Sequence, residues 1–173
     1  MRRSGFLGML LLSMGLGAVA LVSGPAQGSQ ASGGGTYFVE PGVRSEFQFS
    51  PSHVQCKIGQ TVFPDGTALQ MLMFSTSIDS ASVVANTVAI TGSMVSIVKL
   101  RFPDGTAVTL SESVPFVACG EDNGTPGAGA DFFSLTVQYA DTPGLDQFDL
   151  FAPAFGNPTT FGGTLATGNV VVR

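Results

Sequence analysis

Apolar and polar residues alternate with a period of two along much of this 173-residue chain. Between residues 44 and 50, Phe47 and Phe49 share one side of an extended strand, while Glu46 and Gln48 share the other. A strand with this pattern places one face on a core and the other in water. Beyond the N-terminal segment, no stretch of helical length carries an apolar stripe with a period of 3.6. The pattern therefore predicts an all-β fold.

A six-residue motif, Phe-Pro-Asp-Gly-Thr-Ala, occurs twice, at residues 63–68 and 102–107. Pro sets φ at the second turn position, Asp bonds to the nearby backbone, and Gly supplies the positive φ that closes a bulged hairpin. Similarity outside the motif is weak, so we interpret the repetition as reuse of a favourable turn rather than as a repeat unit. The predicted hairpins pair residues 57–63 with 67–74 and 94–102 with 106–117.

The rest of the chain continues the same pattern of short strands and turns. Further strands are predicted at residues 132–139 and 161–172, while 30–35 is interpreted as a flexible Gly/Ser segment. Residues 141–157 carry Pro and Phe and are interpreted as a long ordered loop or a short edge strand. Strands at this spacing predict one antiparallel domain, either a β-sandwich or a closed β-barrel, and both alternatives stay open.

The first 31 residues have the three parts of a secretory signal peptide. A basic start (Arg2 and Arg3) is followed by an apolar run over residues 6–22 and then by small residues. A membrane anchor is the alternative, because the apolar run approaches the length that spans a bilayer. No basic stop-transfer cluster follows the run, so we predict secretion to the medium or the cell surface. The candidate cleavage positions are after Ala26, Gly28 and Ala31.

Signal removal would leave residues 32–173 as a single acidic domain. The chain has 7 Lys and Arg against 12 Asp and Glu, and without Arg2 and Arg3 the balance is 5 against 12, a formal charge of −7. Such a surface repels phosphate backbones and anionic membranes. We therefore predict no nucleic-acid partner and no membrane span in the processed domain. The expected partner is an extracellular protein or glycan.

The two cysteines, Cys56 and Cys119, both belong to the domain that is predicted to be exported. Oxidising compartments favour disulfides. Closing a loop of 63 residues (119 − 56) would stabilise the fold by about 4 kcal/mol. Free thiols or a metal pair are the alternative, but there is no CxxC motif and His53 is the only histidine. The sequence therefore predicts a Cys56–Cys119 disulfide.

Few residues could carry catalysis, and we assign no catalytic residue. A Ser-His-Asp hydrolase would have to use His53, and no G-x-S-x-G elbow singles out a serine. Paired carboxylates, as in glycosidases, are the other enzymatic option, although the chain has no Trp to form a sugar platform. A secreted hydrolase that uses His53 or acidic loop residues is the alternative to a non-enzymatic module. The acidic candidates are Asp122, Asp131, Asp141, Asp146 and Asp149.

The Gly-rich loop at residues 120–131 has oxygen-bearing side chains of the kind that calcium prefers. Their spacing lacks the D-x-D-x-D-G order of an EF-hand loop, so we interpret the loop as successive tight turns. No cofactor is assigned, and a calcium-stabilised structural domain is the alternative. The weak calcium candidates are Glu121, Asp122, Asn123 and Asp131.

Three phenylalanines in the Pro-rich segment, Phe148, Phe151 and Phe155, form a candidate contact patch. Loops on a rigid β scaffold commonly carry binding residues, and apolar patches mark contact sites. The alternative is that these side chains cover one end of the core.

Five short motifs stand out along the chain: Gly33-Gly34-Gly35, the D-N-G-x-P-G loop at 122–127, the D-x-F-S-L strand at 131–135 with Tyr139, G-G-x-L at 162–165, and Gly168-Asn169-Val170. These motifs resemble those of exported bacterial β domains of the post-COAP type. The resemblance implies a secreted or cell-surface β module, and it brings no catalytic site that could be carried over. The departures from the family pattern are the two cysteines and the insertion at residues 145–161.

Overall fold

The computed structural model describes residues 30–139 and 158–173. Within these ranges the chain forms nine antiparallel β-strands and no helix, which confirms the all-β prediction. The strands are β1 (Ala31–Glu40), β2 (Val43–Ser50), β3 (His53–Val62), β4 (Ala68–Val84), β5 (Thr87–Arg101), β6 (Ala107–Glu121), β7 (Phe132–Val137), β8 (Thr159–Thr164) and β9 (Thr167–Val172).

The nine strands belong to one sheet in the order β8-β7-β6-β5-β4-β3-β2-β1-β9. Strands β1 to β8 pair in chain order, and β9 returns to pair with β1. The two outermost strands, β8 and β9, are joined by only Leu165 and Ala166. The two ends of the sheet must therefore come together, and the sheet curls into an incompletely closed barrel. Between the sandwich and the barrel, the structure favours a barrel-like sheet.

Both predicted hairpins form, β3 with β4 and β5 with β6. Their turns are built alike, as the repeated motif indicates. Asp65 Oδ1 accepts a hydrogen bond from Thr67 N at 2.8 Å, and Asp104 Oδ1 accepts one from Thr106 N at the same distance. The bond from Thr106 stabilises the carboxylate and lowers the pKa of Asp104. Local turn chemistry thus sets the ends of four strands.

Aromatic side chains fill the interior where the two halves of the curled sheet face each other. Phe133 of β7 stacks on Phe47 of β2 with ring centroids 4.1 Å apart. Tyr37 and Phe49 each lie with their ring centroids 6.0 Å from that of Phe133. These four side chains are buried, and contacts of this kind hold β7 against β1 and β2 across the interior.

The prediction of a flexible segment at residues 30–35 is wrong from Ala31 onward, because these residues open β1. Close packing leaves no room for a side chain at Gly33 or Gly35. A Cβ on Gly33 would lie 2.5 Å from the ring of Phe49, and one on Gly35 would overlap the carbonyl oxygen of Thr167. Glycine here permits the close approach of neighbouring chain segments.

The C-terminal segment, predicted as one strand, consists of two strands at opposite edges of the sheet, β8 and β9. Buried Leu165 lies at the crossing between them. Some of the sequence predictions fall wholly or mostly on residues 1–29 and 140–157, which lie outside the described residues. They concern the signal peptide, the carboxylates of Asp141, Asp146 and Asp149, and the contact patch of Phe148, Phe151 and Phe155.

The close packing of β1 predicts that substitution by alanine changes stability differently at two adjacent glycines. Gly35→Ala should lower the free energy of unfolding by about 1–3 kcal/mol, because the added methyl group overlaps the backbone of Thr167. Gly34→Ala is the matched control, since its nearest atom is the Phe47 carbonyl oxygen at 3.5 Å, an ordinary contact. Urea unfolding of both variants measures the difference. Equal stability of the two would show that β1 does not pack this closely against β9.

Candidate functional site

The most buried ionisable side chain of the Gly-rich loop is Asp131, which directly precedes β7. Its Oδ1 accepts a hydrogen bond from Asn123 N at 2.8 Å, and its Oδ2 accepts one from Val170 N at 2.7 Å. One carboxylate therefore connects the loop at residues 122–131, which we name the closure loop, to β9.

A second carboxylate of the closure loop acts on the same strand. Asp122 Oδ2 accepts a hydrogen bond from Val172 N at 3.2 Å. Arg173 N donates to Gln30 O on the β1 side, and N–H directions alternate along a strand, so the N–H groups of Val170 and Val172 point away from β1. These two donors belong to the free edge of β9. The two carboxylates take the place of the strand that this edge lacks.

The closure loop is itself held by backbone and amide groups. Asn123 Nδ2 donates to Ala130 O at 3.1 Å, and Asn86 Nδ2 donates to Asn123 Oδ1 at 2.8 Å. Leu165 N donates to Asp131 O at 2.9 Å, which ties the crossing between β8 and β9 to the same point. The closure loop is therefore an ordered part of the barrel. We name the place where it meets β9 and the crossing at Leu165 and Ala166 the seam.

Gly127 fills the space between two oxygens of this seam. A Cβ at this position would overlap Asp131 Oδ2 and Asn169 Oδ1. Asn169 Oδ1 is buried and accepts no N–H or O–H hydrogen bond within the described residues. Glycine at 127 lets the loop approach close enough for Asp131 to reach β9.

The four calcium candidates are thus placed in the seam rather than around a common centre. Both oxygens of Asp131 accept backbone N–H groups, and Asn123 Oδ1 accepts the Asn86 amide. Asn123 Nδ2 also lies 3.4 Å from Glu121 Oε2. In residues 30–139 and 158–173 no three His, Cys, Asp or Glu side chains gather as a metal-binding group. The geometry supports a structural role for this loop.

The predicted Cys56–Cys119 disulfide is wrong, because both cysteines are free. Cys56 is buried on the inner face of β3, in line with Val54 and Ile58. On β6 the inner face is formed by Phe116 and Ala118, so Cys119 points outward, and β4 and β5 separate the two strands. A disulfide needs Cβ atoms about 4 Å apart, which side chains on opposite faces cannot reach.

Cys56 belongs to a small polar group inside the barrel. Its Sγ lies 3.4 Å from Tyr37 Oη and 3.5 Å from Ser45 Oγ, and Ser45 Oγ donates to Lys57 O at 3.0 Å. Burial raises the pKa of both Cys56 and Tyr37. The thiol and the phenol therefore stay protonated at neutral pH, which suits internal hydrogen bonding rather than nucleophilic attack.

His53, the only imidazole, begins β3 and is half-buried. Its Nδ1 lies 3.5 Å from Ser75 Oγ, and that oxygen accepts a stronger bond from Val54 N at 2.9 Å. No carboxylate bonds to His53 within the part of the chain that the structure describes. Among the described residues, the serine beside the histidine is therefore not accompanied by an acid that would orient the imidazole as in a hydrolase.

The sequence analysis missed a shallow surface depression that crosses the outer face of the sheet, which we name the outer trough. One cross-strand row runs through it, from Glu46 to Lys57, Leu72 and Ile97. Beside this row a depression of about 280 Å³ lies between β3 and β6, and Lys99 and Arg101 line it. The only available signal was the recurrence of Gln and Lys at outward positions, which are far apart in sequence.

No family model, curated protein or solved structure matches this chain. Among the described residues no helix is long and apolar enough to cross a bilayer. The site is therefore interpreted from its own geometry.

The contacts of Asp131 predict that a small change in its side chain greatly lowers the free energy of unfolding. Asp131→Asn keeps the shape but replaces one acceptor oxygen with an NH₂ that faces a backbone N–H, so we expect a loss of about 3 kcal/mol in unfolding free energy. Asp79→Asn, at an exposed position of β4, removes the same charge and should change stability by less than about 0.5 kcal/mol. Chemical unfolding measures both. Equal effects would mean that Asp131 does not hold the seam.

The two thiols should differ in their accessibility. In the native protein, iodoacetamide should alkylate the partly exposed Cys119 slowly, because burial and Glu121 raise its pKa. Cys56 should react only after unfolding, since its side chain is fully buried. Mass spectrometry without reductant counts the labels, and Cys119→Ser is the control that should abolish native labelling. A species without free thiols before reduction would contradict the structure.

Proposed function

We propose that this chain is an exported, non-enzymatic β module that binds a partner outside the cell through the outer face of its sheet. The observation that carries the proposal is the use of the closure-loop acids. Asp122 and Asp131, two of the candidate catalytic carboxylates, accept backbone N–H groups of β9. These contacts support a structural role for the closure loop, whose acids the sequence analysis gave as catalytic and calcium candidates.

The interior supports the same proposal. Tyr37 and Cys56 face each other in the barrel, and burial keeps both groups protonated. Aromatic rings fill the space around them. The filled core and the hydrogen-bonded seam make the barrel a rigid support. Rigid β scaffolds commonly bind their partners through exposed residues. The outer trough provides polar and charged side chains on that surface.

The proposed export has a consequence for the position of signal cleavage. Ala31 is buried and pairs with Val172, and Gln30 O accepts the bond from Arg173 N. Cleavage after Ala31 would remove Ala31 from β1 and would also remove Gln30, which precedes the strand. Of the three candidate positions, those after Ala26 and Gly28 leave β1 whole.

Expression of the full chain in a bacterial host tests the proposal. We expect the processed protein in the periplasm or medium, with an intact mass that corresponds to cleavage after Ala26 or Gly28. Fractionation and mass spectrometry measure both. Retention of the unprocessed chain in the cytoplasm would contradict export, and a product that begins at Ser32 would contradict the pairing of Ala31.

The non-enzymatic part is tested on the same purified protein. Chromogenic esters, glycosides and phosphate esters are offered to the wild type and to His53→Ala and Ser75→Ala variants. We expect no turnover that either substitution abolishes. Hydrolysis that depends on His53 would replace the proposed function with the hydrolase alternative.

A further inference from the structure

We propose that the outer trough binds an extended polysaccharide whose carboxylates are separated by neutral sugar units. This inference rests on the export proposed above, because such polymers lie outside the cell. It is carried by the shape, the charge and the side-chain chemistry of the trough.

The trough consists of three neighbouring depressions that lie in a row across five strands. A depression of about 140 Å³ between β2 and β3 shares Lys57 with a second one of about 120 Å³ between β3 and β5. The second shares Gln70 and Lys99 with the third, of about 280 Å³, which reaches Thr109 on β6. Four strand spacings amount to roughly 19 Å. A site of this length and shallowness fits an extended chain better than a small anion.

The cations of this acidic protein are concentrated in the trough. Of the five Lys and Arg in the described residues, three line it: Lys57, Lys99 and Arg101. Lys57 Nζ lies 3.8 Å from Glu46 Oε2, a long contact between two exposed side chains. Within the described ranges no carboxylate pairs with Lys99 or Arg101. Unpaired cations on a negatively charged protein provide charge complementarity for an anion.

The remaining polar lining consists mainly of amides. Gln48 and Gln55 line one end of the trough, and Gln60 and Gln70 line the other. An amide side chain both donates and accepts hydrogen bonds, as the hydroxyl and amide groups of sugars require. The half-buried side chains of Leu72 and Ile97 lie between the two ends and offer an apolar floor to the C–H faces of sugar rings.

The distance between the cations of the trough indicates how far apart the negative charges of its partner should be. Lys57 and Lys99 are two strands and two residues apart, which corresponds to roughly 12 Å between their backbone positions. Asp65 and Asp104 occupy the turns just beyond Arg101 and make that end acidic. These acids and the overall negative charge of the protein would repel a polymer whose own negative charges are closely spaced. Carboxylates separated by neutral sugars match the trough.

The test is titration calorimetry of the purified, processed protein with a hyaluronan hexasaccharide, which carries one carboxylate per disaccharide. We expect binding that weakens with added salt. Arg101→Gln and Lys99→Gln should each weaken it by about tenfold, the loss of one charge-assisted hydrogen bond. Arg173→Gln is the matched control, because it removes the same charge at the exposed end of the chain, and it should change affinity by less than about twofold.

Four outcomes would overturn the inference. They are no binding by the wild type at low salt, equal weakening by Arg173→Gln, equal binding of the neutral chitohexaose, and tighter binding of poly-glutamate or single-stranded DNA. Melting temperatures of all variants check that the fold is kept, as expected for exposed side chains. Because the assay uses purified protein, its failure leaves the export result standing, and a failure of export is scored separately by fractionation.

Discussion

The structure depends on one carboxylate at the seam of the barrel. A meander of strands that returns to its start leaves two free edges, and each edge presents unpaired N–H and C=O groups. Here Asp131, the buried last residue of the closure loop, accepts hydrogen bonds from both Asn123 N and Val170 N. Asp122 repeats the contact at Val172. Side-chain acceptors thus replace a missing strand, so the sheet closes without a continuous ladder between β8 and β9.

Closure at this point has consequences on both faces of the sheet. Inside, the curl brings Phe133 onto Phe47 and encloses Tyr37 with Cys56, so that polar atoms of the core find their partners within it. Outside, the pairing of the long strands β4, β5 and β6 brings Lys99 and Arg101 beside residues of β3 and β4. The same constraint that fills the interior therefore exposes the surface proposed to bind.

Several glycine and polar positions from different parts of the chain meet at the seam. Gly33 and Gly35 let β1 approach its neighbours, Gly127 makes room for Asp131, and Asn169 lies against Gly127. These positions require small size or an acceptor oxygen at one place in the fold. In this chain these positions serve close packing and barrel closure.

The period-two alternation and the Pro-Asp-Gly turns were sufficient to predict an all-β chain and both hairpins, because these signals act between residues close in sequence. The pairing of β9 with β1, the split of the C-terminal segment and the outer trough depend on register between distant strands, which local patterns do not encode. The cysteines show the same limit. Apolar residues flank Cys119 on both sides, so only the register of β6 decides that it faces outward, opposite to Cys56.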